Sequence, residues 1–293
     1  MTSMIQLENA YKLRVADAYR DAIERLAVAG VEQPALVSGW LLAWVTGENR
    51  LSLASSPRML TEDQAGRWEH ALQRAARHEP VQYITGYTDF RDLRILCDAR
   101  ALIPRPETEQ GVGVVLSDLC WQSNPDPVCV DVGTGTGCVA LALARALPHA
   151  QVWGLDVEEA ALSLARENAN HNALADRVAF CQSDLFQNWG RVQADLVFAN
   201  LPYIEAPACA RLPETVRYEP ISALNGGEDG LDFIRALVRQ APSVMRPGGL
   251  LFLEIGFQQG AAVRGMVEHA GFLSVQVVQD WSGKDRFVRG VKS

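Results

Sequence analysis

Residues 128–147 read "VCVDVGTGTGCVALALARAL". A strand, Val128–Val132, apolar except for Asp131, meets a glycine-rich turn, and an apolar helical stretch follows. Gly133, Gly135 and Gly137 let the backbone turn sharply and let a ligand approach it closely. The chain downstream continues in the same manner. Strands are expected at Val128–Val132, Val152–Asp156, Val178–Cys181, Leu196–Ala199, Leu250–Ile255 and Ser274–Gln279, with helices between most of them. Such alternation from Glu107 onward describes an α/β fold, a mainly parallel sheet covered on both faces.

Upstream the period is helical, then changes. From about Met4 to Ala29 apolar groups recur at helical spacing, and Gly30 ends the run. "PALVSGWLLAWVTG" is a second helix, with Pro34 at its start and Gly47 at its end. Thr61 and Gln64 in "TEDQAGRWEHALQRAARHE" form a capping-box pattern for a third. "YITGYTDFRDLRILCDARALIPRP" then alternates short apolar pieces with turn residues, which predicts a β-hairpin. Pro104 and Pro106 stiffen its exit. The expected division is a helical domain over 1–79, a hairpin linker over 80–106 and a catalytic domain over 107–293.

The chain has 293 residues, of which 48% are hydrophobic and 21% charged, a globular rather than a disordered balance. Its formal charge of −8 argues against a sequence-independent grip on nucleic acid, which needs many Lys and Arg on phosphates. No apolar stretch is long enough to cross a bilayer. The opening residues show no apolar signal core and too many acids for a transit peptide, so a cytoplasmic protein is expected. Cys97, Cys120, Cys129, Cys138, Cys181 and Cys209 contain no CxxC pair, which disfavours a zinc site; reduced core thiols are expected.

Two cofactors compete for the glycine loop. Gly135-x-Gly137-x-x-Ala140 fits the loose dinucleotide fingerprint. Asp131, however, stands on the strand just before the loop. A carboxylate there repels a pyrophosphate and suits a cation, such as the ammonium of S-adenosylmethionine. Asp156 ends the next strand, where an acid binds ribose hydroxyls. Asp184, after the third strand, can accept from the exocyclic amine of adenine, and Leu185 can cover the ring. Three acids at successive strand ends, with the loop Gly133-Thr134-Gly135-Thr136-Gly137 between the first two, favour S-adenosylmethionine.

The fourth strand runs into "DLVFANLPYI", residues 195–204. Pro202 cannot continue a strand, because it has no N–H to give. A polar turn over a packed Tyr is the plain reading. Beside an expected sulfonium methyl, another arises. Asn200 can accept one N–H of an incoming amide or amino group through its side-chain oxygen, and the Leu201 carbonyl can accept the other. Tyr203 can pack on the planar group. Two acceptors would orient the nitrogen lone pair and stabilise charge growing on nitrogen. No general base is needed, since the proton becomes acidic once nitrogen is alkylated.

These residues resemble the Asp/Asn-Pro-Pro-Tyr motif of amino-group methyltransferases. "EPVQYITGYTDF", "LIPRPETE", "YEPISALNGGEDGLDFIR", "MRPGGLLFLEIG" and "GKDRFVRG" are similar to the PrmC/HemK family, the release-factor glutamine methyltransferases. The resemblance implies a seven-stranded, mainly parallel Rossmann-like methyltransferase sheet. It also implies methylation of the side-chain amide of the Gln in the Gly-Gly-Gln motif of peptide-chain release factors. By the same resemblance Gly133 to Gly137 and Asp156 hold the cofactor, Leu185 lies near the adenine, and Asn200 to Tyr203 clamp the glutamine, with Asn200 also near the cofactor. The family's first Pro is Leu201 here. If the contact is the backbone carbonyl, Leu supplies it equally, and activity is expected to persist.

Some stretches stay open. "LIPRPETE" reads by its proline content as a linker, while the resemblance implies a place near the active-site mouth, with Arg105 or Glu109 facing ligand. "NGGEDG" (225–230) reads as a turn before a helix. Glu254 ends a strand as a cap or as part of the cleft. The N-terminal helices either cover the sheet or recognise the release factor. Two other functions compete with glutamine methylation. One is an amino-group methyltransferase acting on adenine in nucleic acid or on a ribosomal protein Gln. The other is a non-catalytic protein that only binds S-adenosylmethionine. The acidic balance disfavours the nucleic-acid reading, and the intact loop, acids, Asn200 and Tyr203 disfavour the non-catalytic one.

Overall fold

The computed structural model describes residues 13–118, 124–190 and 193–293. They form two compact units. The first takes the described residues through Gly86 together with Pro213–Tyr218; the second takes Tyr87–Leu212 and Glu219–Ser293.

The first unit is helical: α1 (Val15–Val28), α2 (Pro34–Thr46), α3 (Glu62–Ala75) and the short α4 (Val81–Thr85). The part of the first expected helix before residue 13, like Cys120, lies outside the described residues. Pro34 opens α2, and Gly47 closes it in the left-handed conformation at φ 72°. The capping box forms: Gln64 N–H donates to Thr61 Oγ1 at 3.2 Å, and Thr61 N–H to Gln64 Oε1 at 3.1 Å. Leu26, Leu41, Leu42, Leu53, Trp68 and Leu72 fill the core between the helices. The late segment completes this unit. Tyr218 donates its hydroxyl to the Arg77 carbonyl at 2.7 Å, and His78 Nε2 lies 2.9 Å from Glu214 Oε2.

The second unit begins with the expected hairpin, β1 (Tyr87–Phe90) antiparallel to β2 (Leu93–Leu96). Then follow α5 (Pro106–Ser117), β3 (Val128–Val132), α6 (Cys138–Ala146), β4 (Gln151–Asp156), α7 (Glu159–His171), β5 (Val178–Gln182) and β6 (Ala194–Asn200). The short α8 (Ala206–Cys209), α9 (Asp232–Val244), β7 (Met245–Glu254), α10 (Gly260–His269), β8 (Phe272–Gln279) and β9 (Asp285–Lys292) complete it. Seven strands lie in the order β5-β4-β3-β6-β7-β9-β8. β5, β4, β3, β6 and β7 are parallel neighbours, and β9 runs antiparallel to both β7 and β8. The strand order reverses at β3, which has β4 on one side and β6 on the other. That is the switch point at which open α/β sheets bind ligands.

β9 is the strand that apolar runs do not mark. Arg286, Arg289 and Lys292 break its pattern, yet Phe287 and Val288 are fully buried between β7 and β8. Phe198 on β6, Phe252 on β7 and Phe287 on β9 stack in a row, with ring centroids 5.3 and 5.1 Å apart. Gly111 of α5 lies on this row: a Cβ there would sit 2.8 Å from Phe287 Cε1. The missing side chain thus lets the helix settle close to the sheet.

The hairpin is held by two asparagines one turn apart, Asn168 on α7 and Asn172 at its C-cap. Asn168 Oδ1 accepts from Leu96 N–H at 2.6 Å, while its Nδ2 donates to the carbonyls of Leu96 at 3.1 Å and Thr136 at 3.0 Å. Asn172 brackets Arg94 in the same way, accepting from its N–H and donating to its carbonyl. The amides act as a surrogate partner strand for β2. Among the described residues no helix is long and apolar enough to cross a membrane.

Candidate active site

A cleft of about 430 Å³ opens at the carboxyl ends of β3, β4 and β6. Its floor is the glycine loop. Gly133 and Thr134 N–H both reach the Leu155 carbonyl at 2.8 Å, and Gly137 N–H closes the turn on the Thr134 carbonyl. Gly133, Gly135 and Gly137 all take positive φ, at 72°, 54° and 81°, where a side chain is strained. Gly137 also packs tightly, since a Cβ would lie 3.1 Å from Ala165 Cβ.

The three acids expected from the sequence all line this cleft, at different depths. Asp131 is level with Gly154 of β4, one residue inside the strand end, and is buried. Its Oδ2 accepts from Thr134 Oγ1 at 2.6 Å and from Ala140 N–H at 3.2 Å. Burial pushes its carboxyl up to about 7, with Asp156 nearby adding to the effect and the two hydrogen bonds opposing it. Asp156 ends β4. Its Oδ2 accepts from Gly135 N–H at 2.9 Å and its Oδ1 from Glu158 N–H at 3.0 Å. Burial again raises its carboxyl above the usual range. Asp184 is exposed at the rim, held by Gln187 Nε2 at 3.0 Å. Leu185 beside it is buried with φ 51°, an uncommon conformation for a branched residue.

On the β6 side the wall is Asn200, Leu201 and Pro202. Leu201 is buried, and its side chain lies over the glycine loop. Tyr203 stands next to this wall rather than in it. Its carbonyl accepts from Gln259 Nε2 at 3.0 Å, and burial pushes its hydroxyl up to about 12, with Glu254 adding to the rise.

Two stretches left open by the sequence belong to the cleft. Arg105 and Thr108 of "LIPRPETE" line it, together with Pro104. Buried Glu219 ties this strap down: Oε1 pairs with Arg105 at 2.5 Å, and Oε2 accepts from Ile103 N–H at 3.1 Å. Glu109 turns elsewhere and accepts from Arg91 N–H in the hairpin turn. "NGGEDG" does more than precede α9. Gly226 N–H donates to the Ile204 carbonyl at 2.8 Å. A Cβ at Gly226 would meet the Pro202 carbonyl at 2.6 Å, and one at Gly230 would collide with the Tyr203 carbonyl. The stretch is the mould in which "NLPY" is set.

Glu254, Thr108 and Asn200 form a chain. Thr108 Oγ1 donates to Glu254 Oε2 at 2.7 Å, and Asn200 Nδ2 donates to Thr108 Oγ1 at 3.0 Å. Asn200 and Glu254 are register partners across β6 and β7. Burial pushes the Glu254 carboxyl up to about 7. Among the described residues no cluster of His, Cys, Asp and Glu is arranged to hold a metal ion.

Residues 17–86 match the family described as the PrmC N-terminal domain, and residues 123–259 match a methyltransferase domain. The fold is shared with the hMettl16 catalytic domain, solved in complex with the MAT2A 3'UTR hairpin 6. That match has a TM-score of 0.56 and 15% identity, covering 78% of this chain and 82% of that one. The fold and the matched domain define an S-adenosylmethionine-dependent methyltransferase. The acids and bare glycine loop fit that cofactor: anionic oxygen for an ammonium and for hydroxyls, and open backbone for close approach. A release factor glutamine methyltransferase of Moorella thermoacetica is 41% identical over 280 residues, 94% of this chain and 97% of that protein. The protein of that name from Cereibacter sphaeroides is 41% identical over 279 residues, covering 94% and 98%. The chain belongs to the release factor glutamine methyltransferase family.

Proposed function

We propose that this chain methylates the side-chain amide nitrogen of the Gln in the Gly-Gly-Gln motif of peptide-chain release factors. The observation that carries the reading is the polarity of Asn200. Its Nδ2 is committed to Thr108, which leaves Oδ1 as an acceptor at the cleft wall. An acceptor suits a primary amide, which brings N–H donors and a delocalised lone pair. The near full-length relatives of that name support the same substrate.

When bound, S-adenosylmethionine supplies an electrophilic methyl on a sulfonium. In this reading Asp131 holds its ammonium, Asp156 its ribose hydroxyls, and Asp184 and Leu185 its adenine. Gly133, Thr134, Gly135, Thr136 and Gly137 give it backbone. Asn200 Oδ1 and the Leu201 carbonyl each accept one N–H of the glutamine amide, Pro202 keeps that carbonyl extended, and Tyr203 flanks the plane. Held so, the nitrogen presents its lone pair while both acceptors stabilise the charge it gains. Residues 1–79 serve to recognise the protein substrate, residues 80–106 link them to the catalytic residues 107–293, and the protein works in the cytoplasm, where release factors act. Incubation of the chain with radiolabelled S-adenosylmethionine and a release factor tests the reading. Label is expected on the wild-type factor and absent from one whose motif Gln is replaced by Glu. Label on nucleic acid instead would overturn it.

A further inference from the structure

We propose that Thr108 is a positioning residue that decides which end of the Asn200 amide faces the acceptor, with Glu254 holding the Thr108 hydroxyl proton. This rests on the glutamine-methylation reading above.

An asparagine amide has two ends of nearly equal shape and opposite polarity. The clamp works with one of them. Oxygen toward the substrate accepts an N–H; nitrogen toward the substrate sets donor against donor. The backbone of β6 does not distinguish the two, because a half-turn about the terminal torsion exchanges them at little steric cost. The choice falls to the neighbours.

Thr108 makes that choice through proton counting. Its hydroxyl has one hydrogen. That hydrogen goes to Glu254 Oε2 at 2.7 Å, so the oxygen meets Asn200 only as an acceptor, and at 3.0 Å it receives Nδ2. Thr108 and Glu254 are 3% and 1% exposed, which leaves bulk water little access to take over either bond. The groups that bear on Glu254 come from three elements: Arg286 on β9, Arg105 and Glu107 at the start of α5, and Tyr203 after β6. Placement is equally specific. Thr108 and Gly111 share a face of α5, three residues apart. Gly111 seats the helix on the phenylalanine row, and Thr108 is thereby lowered between the ends of β6 and β7.

The test compares Thr108→Val, Thr108→Ser and Glu254→Leu with the wild type, measuring kcat on a release factor and cofactor affinity by calorimetry. Val keeps the shape and removes the hydroxyl. Thr108→Val is expected to lower kcat by about tenfold to a hundredfold, with cofactor affinity within about twofold. Thr108→Ser, which keeps the hydroxyl, is expected to recover most of the rate. Glu254→Leu keeps Thr108 but frees its proton to turn toward Asn200; it is expected to resemble Thr108→Val, and it serves if Thr108→Val does not fold. Wild-type kcat in Thr108→Val overturns the inference. So does an equal loss in the Val and Ser variants, or a parallel loss of cofactor affinity, either of which makes the role one of packing. An inactive wild type brings down the functional reading and this inference together; an active wild type with an unaffected Thr108→Val brings down the inference alone.

Discussion

The Leu201 side chain lies directly over Gly133, so close that a Cβ on Gly133 would come within 2.9 Å of Leu201 Cδ2. The position at which the chain departs from the family motif is therefore coupled by packing to the floor of the cofactor site. Leu201 is more than a carrier of a carbonyl.

Gly133→Ala is expected to weaken cofactor binding by about tenfold or more, because it adds a collision to a positive φ that costs on the order of 1–3 kcal/mol. Adding Leu201→Ala should relieve the collision and leave the φ strain. The double variant should bind the cofactor better than the sum of the single losses predicts. Calorimetric titration of the three variants checks this. Simple additivity would mean that the two side chains do not meet.

Leu201→Pro keeps the carbonyl and forfeits the contact with Gly133. Methylation should persist, with a stability loss of about 1–3 kcal/mol, part of the cost of truncating a buried leucine. Denaturant unfolding, paired with single-turnover assays, measures both. A folded variant that binds cofactor but transfers no methyl would show that the leucine has a direct task in the clamp.

Cofactor affinity should rise with pH toward about 7 and level off above it. Burial holds the Asp131 carboxyl up at about 7, so below that pH it carries a proton that an incoming ammonium must displace. The sign for stability is the reverse. A carboxyl raised in the folded state binds more protons there than in the unfolded chain, so the cofactor-free protein loses stability as pH climbs from the ordinary Asp range through 7. Asp131→Asn should abolish the affinity slope and raise the stability of the free protein at pH 8. An unchanged slope would assign the titration to another group.

Asn168→Ala removes three hydrogen bonds and leaves Leu96 N–H without its acceptor. A stability loss of about 2–4 kcal/mol is expected, from bonds near 1 kcal/mol each and a half-buried orphan donor. Hydrogen exchange at Leu96 should accelerate more than exchange in β3. Uniform acceleration would argue that the hairpin and the sheet open together.

Much of the fold is legible where chemistry repeats along the chain. Val128–Val132 and Leu196–Ala199 are buried on both faces, so each reads as an apolar run, interrupted only by Asp131 in the first. In β9 arginines stand on either side of Phe287 and Val288, and its membership depends on β7 and β8 accepting that pair from either side. The glycine loop and acids are local signals, and one cleft does gather them. Leu201 looks neutral in sequence because nothing local reveals that its side chain will rest on Gly133. Thr108 looks like part of a proline-rich strap for a similar reason: its two partners stand on strands far along the chain. Asn168 sits in a helix and Asn172 at its end, where an isolated reading offers them no task toward the hairpin.

The return of Pro213–Tyr218 to the helical unit sets an order of assembly. Chains usually complete their domains from the amino end as they leave the ribosome. Here His78 and Arg77 wait for Glu214 and Tyr218, which are synthesised only after β6 and the "NLPY" turn. The helical unit cannot finish before most of the catalytic sheet has emerged. For the same reason no single cut in the chain yields both units whole: severing it at the hairpin strands a piece of the first unit inside the second.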